Sequence, residues 1–383
     1  MQLMNFSLNL LTNKFTRNAA QGGKPLPQKQ KVFVGISGGV DSAVSAILLK
    51  EAGYDITGVF IRTWQPDFIE CTWRDERRDA IRVCAHLNIP FLECDAENEY
   101  KNLVGMQMVN DYVAGLTPNP DILCNREVKF GVFWQFAKKH GADFVATGHY
   151  AKNINKNTGG NNAFFMAKPK DTIKDQTYFL WTLQNEDLEH VLFPLGDLNK
   201  TEVRYIALKH NLPNATKKDS QGVCFLGHID MKDFLSHYTD LKQGDVLDEA
   251  GNVIGKHDGA IVYTLGQRHG FEVFKKTNNE KPYYVIAKNA ELNTITVSTE
   301  ILNTTFAKKE HLLTKGFIRK DIENKNETLG LYRYNGEFVK IEVLNELNND
   351  KIQVIFEKPV LISPGQSVVF YQNDAVIGGG VCL

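Results

Sequence analysis

Three stretches of this chain place reactive side chains where chemistry could use them. Residues 35–42 read GISGGVDS, directly after the apolar run KVFV. Paired glycines let backbone N–H groups approach an anion closely, and a helix beginning near Ser42 adds the positive end of its dipole. Ser37 and Ser42 offer hydroxyl donors. Asp41 repels a bare phosphate, so it either caps the helix or shares a Mg²⁺ ion with phosphates. A plain strand-to-helix turn is the competing explanation. The second stretch is TPNPDILCNREVKF, residues 117–130. Pro118 and Pro120 hold an extended loop, and a helix is expected from about Asn125, with Cys124 at its N-terminus. The dipole there lowers a thiol pKa, and Asp121 lies close enough for proton transfer at the same centre. Alternatively, Ile122, Leu123 and Cys124 form one apolar plug. The third stretch, TKKDSQGVCFLGHID, sets Cys224 among Ser220, Gly222 and Gly227, after two lysines. A mobile loop and a core cysteine beside Val223 and Phe225 both fit that composition.

Two familiar phosphate loops are excluded. No lysine follows the glycines, and GNVIGKH at residues 251–257 is one residue short of a P-loop and lacks its Ser or Thr. The dinucleotide fingerprint G-x-G-x-x-G is missing as well. What GISGGVDS resembles is the SGGxDS signature of the ATP pyrophosphatases, which split ATP between its α and β phosphates and pass adenylate to an oxygen.

The elements that must carry these residues follow from periodicity. From Lys31 on, short β-branched runs alternate with helical periods: KVFVGIS, DITGVFIRTW, PFLECDA and DFVATGHY as strands, with helices between them. That pattern predicts an α/β class with a doubly wound parallel sheet, and phosphate belongs in the loop from the first strand into the first helix. NINKNTGGNN reads as a hairpin or surface loop, and helices are expected at KDQTYFLWTL and at NKTEVRYIALKHN, capped by Asn199 or Thr201. From Gly244 the segments are short, β-rich and divided by Gly, Pro and Asn, which suggests a small β-barrel or sandwich. We therefore expect a tail at 1–30, an ATP pyrophosphatase domain at 31–185, a small, mostly helical domain at 186–243 and a β-barrel at 244–383.

Taken together, GISGGVDS, LTPNPDILCNREVKF, ADFVATGHYA, KDQTYFL, FPLG, DSQGVCFLG, TLGQRHG and SPGQSVVFY closely resemble the tRNA-specific 2-thiouridylase family, in the family's order from Lys31 to the C-terminus. That resemblance implies that Cys124 is the nucleophile, that Cys224 carries a persulfide sulfur, and that Asp121 moves a proton. It implies ATP contacts at Gly35, Ile36, Ser37, Gly38, Gly39, Val40, Asp41, Ser42, Ile61 and Gly148. It also implies tRNA contacts at Asn119, Pro120, Asp121, Lys174, Asp175, Gln176, Arg333 and Tyr334. The expected cofactors are ATP with Mg²⁺ near Asp41, and the expected partners are wobble-uridine tRNAs such as those for Lys, Glu and Gln, plus a sulfur-donor protein, a cysteine desulfurase or a sulfur relay. A monomer is expected. The middle-segment bases Lys200, Arg204, Lys209, Lys217 and Lys218 could form a phosphate-binding face or a solvated helix surface.

Composition limits the other classes. A net charge of −1 gives no global attraction to nucleic acid, so RNA binding must be local. No apolar stretch approaches the roughly 20 residues of a membrane span. The six cysteines form no C-x-x-C pair, which argues for a reducing compartment, hence the cytoplasm, and against a secreted scaffold or zinc site. Cys84 and Cys94 read as core; residue type decides nothing for Cys71 and Cys382. Residues 1–30 hold Lys14, Arg17, Lys24 and Lys29 without an acid, as in a disordered tail or an organelle presequence. The alternatives within the class are a 4-thiouridine synthetase or an amidotransferase-like synthetase. Outside it stands a catalytically silent, nucleotide-regulated RNA-binding protein.

Overall fold

Alternating apolar strands and amphipathic helices fold here around a parallel sheet, whose strands, covered on both faces, bury near-continuous apolar runs such as Val32–Val34. The computed structural model describes residues 29–69, 73–158, 161–219, 230–274, 281–301, 305–319, 327–347 and 351–383. The chain divides into two units, one running through Lys101 and resuming over Cys124–Gly227, the other made of Asn102–Leu123 and His228–Leu383.

In the first unit, β1 (Lys31–Gly35), β2 (Asp55–Arg62), β3 (Phe91–Asp95), β4 (Phe144–Ala146) and β7 (Val191–Leu192) form a parallel sheet ordered β3-β2-β1-β4-β7. Val32 pairs with Ile56 on one side and with Phe144 on the other. The first helix, Val40–Glu51, buries Val40, Ala43, Val44 and Ile47 in the core that holds Val32 and Val34. Gly53 ends it at φ +93°, a left-handed stop that suits glycine. A second helix, Trp73–Leu87, packs Ala80, Val83 and Cys84 into the same core. The path from β3 to β4 is helical in two runs, Glu97–Val113 and Pro120–Lys139, each containing a π-helical stretch, at Lys101–Gly105 and Cys124–Val132. On either side of the two glycines of NINKNTGGNN, β5 (Lys152–Thr158) and β6 (Asn161–Ala167) pair antiparallel, as the hairpin expectation requires.

KDQTYFLWTL does not form a helix. It makes one 3₁₀ turn, Thr177–Phe179, because Asp175 Oδ1 accepts from both the Thr177 amide and its hydroxyl, which draws the backbone out of a helical ladder. Short helices follow at Asn185–Leu188, Lys200–Lys209 and Met231–Ser236.

The second unit answers the choice between barrel and sandwich with two sheets. β8 (Gly244–Leu247), β9 (Val253–His257), β10 (Phe271–Val273), β11 (Tyr284–Asn289) and β12 (Thr294–Ser298) form one, ordered β10-β9-β8-β12-β11. β13 (Lys308–Ile318), β14 (Thr328–Leu331), β15 (Val339–Leu347), β16 (Lys351–Val360), β17 (Ser367–Gln372) and β18 (Ala375–Cys382) form an antiparallel barrel in which β13 pairs with both β16 and β18. Leu313, Val354, Phe356, Val368 and Phe370 fill its interior. Among the described residues, no helix is long and apolar enough to cross a membrane.

Candidate functional site

The strand order reverses between β1 and β4, so the crevice beyond their carboxyl ends is where an open α/β sheet takes a ligand. Gly35–Ser42 and Thr147–Tyr150 leave the sheet at that point. Gly38 adopts φ +74°, and its carbonyl accepts from Asn214 Nδ2 at 3.0 Å. The Oδ1 atom of Asn214 is buried without a hydrogen-bond partner, and the residue lines a cavity of about 160 Å³ with Asp79, Arg82 and Lys217. Gly148 approaches so closely that a Cβ there would stand 2.7 Å from the Ser42 nitrogen. Only glycine permits that contact. Ser42 Oγ accepts from the Ser37 amide at 3.3 Å and donates to the Gly39 carbonyl at 3.2 Å, which shapes the loop from within. Ile61 packs 3.6 Å from where a Cβ on Gly35 would lie.

Asp41 does not cap the helix. The N-cap is Gly39, without a side-chain bond, and the Asp41 carboxylate turns instead to Tyr150 and Lys200. The Tyr150 hydroxyl donates to Oδ1 at 2.9 Å, while Lys200 Nζ donates to Oδ1 at 2.7 Å and Oδ2 at 2.9 Å. Burial, and then the Asp41 charge, pushes the Tyr150 phenol far up, so it stays a donor at any working pH. Tyr150 escaped the sequence reading because no local spacing signals a partner 109 residues away.

Lys200 is held in place from its own helix. Asn199 forms a reciprocal capping box with Glu202, its side chain accepting from the Glu202 amide and the Glu202 carboxylate accepting from the Asn199 amide. Lys200 also lies 2.8 Å from Asp219, which receives Lys174 and Arg204 at 2.7 Å each. Lys217 pairs with Asp79 at 2.8 Å. Of the five bases assigned to a phosphate-binding or solvated face, Lys200, Arg204 and Lys217 turn to carboxylates around the loop. Burial alone would raise the Asp219 carboxyl, yet the hydrogen bonds from Lys174 and Lys200 outweigh it and hold it at about 2, against an ordinary 3.8. A carboxyl lowered by folding contributes stability that is complete above the unfolded value and lost as pH falls through the folded one. Urea unfolding of Asp219→Asn should show a shallower loss of stability than the parent between about pH 4 and pH 2. Equal slopes would remove the cluster from the acid response.

His149 is buried between Phe130 and Phe193, and its Nδ1 lies 2.7 Å from Thr147 Oγ1. Burial, with Lys129 adding to it, drives its pKa well down, so the ring stays neutral and braces the end of β4.

The helical run starts at Pro120, not Asn125, because proline suits the first helical position. Cys124 consequently sits a turn inside it, buried at 1% exposure, and the dipole argument applies to the turn bearing Asp121. The π-helical stretch begins at Cys124, a geometry frequent at functional sites. Asn125 Nδ2 donates to the Phe179 carbonyl at 3.0 Å, and Gln176 exchanges hydrogen bonds with the Tyr150 backbone. The 174–180 turn thus links the Cys124 helix to the Asp41 loop. Lys174, Asp175 and Gln176 are each engaged within the chain. Arg333 lies over Tyr332 at 5.8 Å on the β14–β15 connection, with Tyr334 exposed beside it. Cys224, Cys71 and residues 1–28 lie outside the described residues. Cys84, Cys94, Cys124 and Cys382 are buried, so the core expectation holds for Cys84 and Cys94.

Comparison with known proteins accounts for nearly the whole chain. Residues 30–228 match the model described as tRNA methyl transferase HUP domain, 232–299 the tRNA methyl transferase PRC-barrel domain, and 307–382 the aminomethyltransferase beta-barrel domain. The chain is 41% identical over 358 residues to the tRNA-specific 2-thiouridylase MnmA of Staphylococcus epidermidis, covering 91% of this chain and 94% of that one. It is 40% identical over 367 residues to MnmA of Francisella philomiragia, covering 93% of this chain and all of that one. Among solved structures, the U34-tRNA thiolase NcsA of Methanococcus maripaludis aligns with a TM-score of 0.36 at 19% identity, over 61% of this chain and 71% of that one, too distant to add to the assignment. With all three domains matched in order and relatives aligned almost end to end, the chain belongs to the tRNA-specific 2-thiouridylase family.

Proposed function

We infer that this protein catalyses ATP-dependent 2-thiolation of the wobble uridine of tRNA. The observation that carries it is the Gly35–Ser42 loop at the sheet's reversal point, with Gly148 packed on it and Asp41 held by Lys200 and Tyr150. Uracil O2 is a poor leaving group. Its attack on the α-phosphate of ATP expels pyrophosphate and leaves O2 carrying AMP, which departs readily. The loop amides and Ser37 and Ser42 hydroxyls bind the phosphates, and Lys200 is within reach to balance the charge of the leaving pyrophosphate. Mg²⁺, when bound with ATP, neutralises phosphate charge. Asp41 suits it as a hard oxygen ligand, and among the described residues no cluster of three ligating side chains competes for it.

Sulfur arrives on Cys224 as a persulfide. Its terminal sulfur attacks C2 and displaces AMP, and the Cys124 thiolate then attacks Cys224 Sγ, breaking the remaining S–S bond and leaving the thiocarbonyl. The equivalent order has Cys124 release hydrosulfide first. Either way a Cys124–Cys224 disulfide results and an external thiol reductant resets it, which favours a reducing cytoplasm. Asp121 moves the proton. Asn119, Pro120 and Asp121 meet the flipped-out base, while Lys174–Gln176, Arg333 and exposed Tyr334 contact the tRNA. The tRNA set for Lys, Glu and Gln, a desulfurase or relay donor, and a monomeric enzyme complete the proposal.

The test is mass spectrometry of tRNA nucleosides after incubation with ATP, Mg²⁺ and a persulfide donor. We expect 2-thiouridine together with AMP. ATP binding without AMP or 2-thiouridine would support a silent RNA-binding protein instead.

A further inference from the structure

Thr117 begins the segment that carries Asn119 and Asp121, and it is fastened on every side. Its amide donates to the Pro364 carbonyl at 2.7 Å, and its carbonyl accepts from Gln366 Nε2 at 2.8 Å. Lys288 Nζ, on β11, donates to Thr117 Oγ1 at 3.1 Å, to the Leu116 carbonyl at 3.2 Å and to the Tyr263 carbonyl at 2.9 Å. Gly365, at φ +91°, passes so close that a Cβ would stand 2.9 Å from the Thr117 nitrogen and 3.0 Å from its oxygen. The 363–366 turn is itself tied down, with Gly365 N donating to the Cys382 carbonyl at 2.8 Å and Leu265 N donating to Ser363 Oγ at 3.0 Å.

Lys288 is a costly way to obtain stability alone. Its ammonium meets three neutral oxygens, and burial pushes it down to about 8 with no carboxylate raising it among the described residues. A buried charge without a counter-charge is destabilising compared with apolar packing of similar volume. What it supplies is direction: one group fixes two consecutive residues and a third segment at once. Pro118 and Pro120 follow directly, each with a locked φ, so a position set at Thr117 passes stiffly along the next residues.

We propose that Lys288, Gln366 and Gly365 are positioning residues for thiolation, which by clamping Thr117 set where Asn119 and Asp121 meet the uracil. The proposal rests on the assignment of Asn119–Asp121 to the base, and it gives the SPGQ stretch at 363–366 a task remote in sequence from the chemistry.

Thiolation kinetics of the full chain test it. In Lys288→Met and in Gln366→Leu, kcat for 2-thiouridine formation should fall about ten- to a hundredfold, the scale set by misplacing a reacting group by an ångström. KM for ATP and the melting temperature should stay unchanged, and Lys288→Arg, which keeps donors at the site, should recover part of kcat. Parental kcat in both variants overturns the proposal, as does a fall in kcat that merely accompanies lost melting temperature and ATP affinity. If Lys288→Met does not fold, Gln366→Leu decides alone. Asp121→Asn separates the two levels: full activity there removes the loop assignment and the clamp with it, whereas an inactive Asp121→Asn beside fully active Lys288→Met and Gln366→Leu removes only the clamp.

Discussion

Replacing Cys224 by alanine is expected to abolish 2-thiouridine formation, by more than about a thousandfold, the scale on which loss of a covalent nucleophile shows. ATP binding should survive, because the phosphate loop and its Asp41, Lys200 and Tyr150 contacts belong to other parts of the chain. Cys124→Ala should be equally inactive in turnover but differ in what accumulates. With Cys224 intact, the persulfide can still be loaded, and mass spectrometry of the protein should find the extra sulfur there. Cys124→Ser is the stricter variant for a thiol buried at 1% exposure, since it changes the volume least. Sustained thiolation by either alanine variant would sink the two-cysteine mechanism.

Lys200→Met should cost the ATP-dependent step about 10²–10³-fold, the usual loss when a preorganised charge facing a developing anion is removed. Lys200 is only 17% exposed, so its pairs with Asp41 and Asp219 are poorly screened; deletion leaves Asp219 to Lys174 and Arg204 but, among the described residues, leaves the Asp41 carboxylate with the neutral Tyr150 hydroxyl alone. The measurement is tRNA-dependent pyrophosphate release, with ATP affinity taken separately. Lys200→Arg should restore charge but not position, and recover little. The double variant Asp41→Asn/Lys200→Met should fall well short of the sum of its parts if the two residues act as a unit. Parental pyrophosphate release from Lys200→Met would remove it from the phosphate site.

How much of this was legible beforehand depended on how far apart the partners lie in the chain. GISGGVDS could be read as the turn from the first strand into the first helix because the three are contiguous, and the alternation of KVFV and DITGVFIR with helical periods foretold the parallel sheet. Asn199 as a cap was similarly local. By contrast, the choice between Asp41 as cap and Asp41 as ligand could not be made, since it depends on Tyr150 and Lys200. The choice between a phosphate-binding face and a solvated surface for the middle-segment bases stays open for the same reason: periodicity tells which face a residue occupies but not which carboxylate waits there. KDQTYFLWTL misled because Asp175 and Gln176 spend their side chains on nearby backbone. The helix bearing Cys124 starts earlier than X-Pro restriction suggests, because Pro120 opens the helix instead of extending the loop.

The capping box at Asn199 has a meaning beyond holding a helix end. A helix turns about 100° and rises 1.5 Å with each residue. Lys200 is the first helical residue, so the cap fixes its angular phase. Starting the helix one residue later would swing the lysine a quarter-turn and more away from Asp41 and break its two bonds to that carboxylate. Asn199 therefore works as a timing mark: it never touches the nucleotide loop, yet it decides the bearing from which the ammonium reaches it.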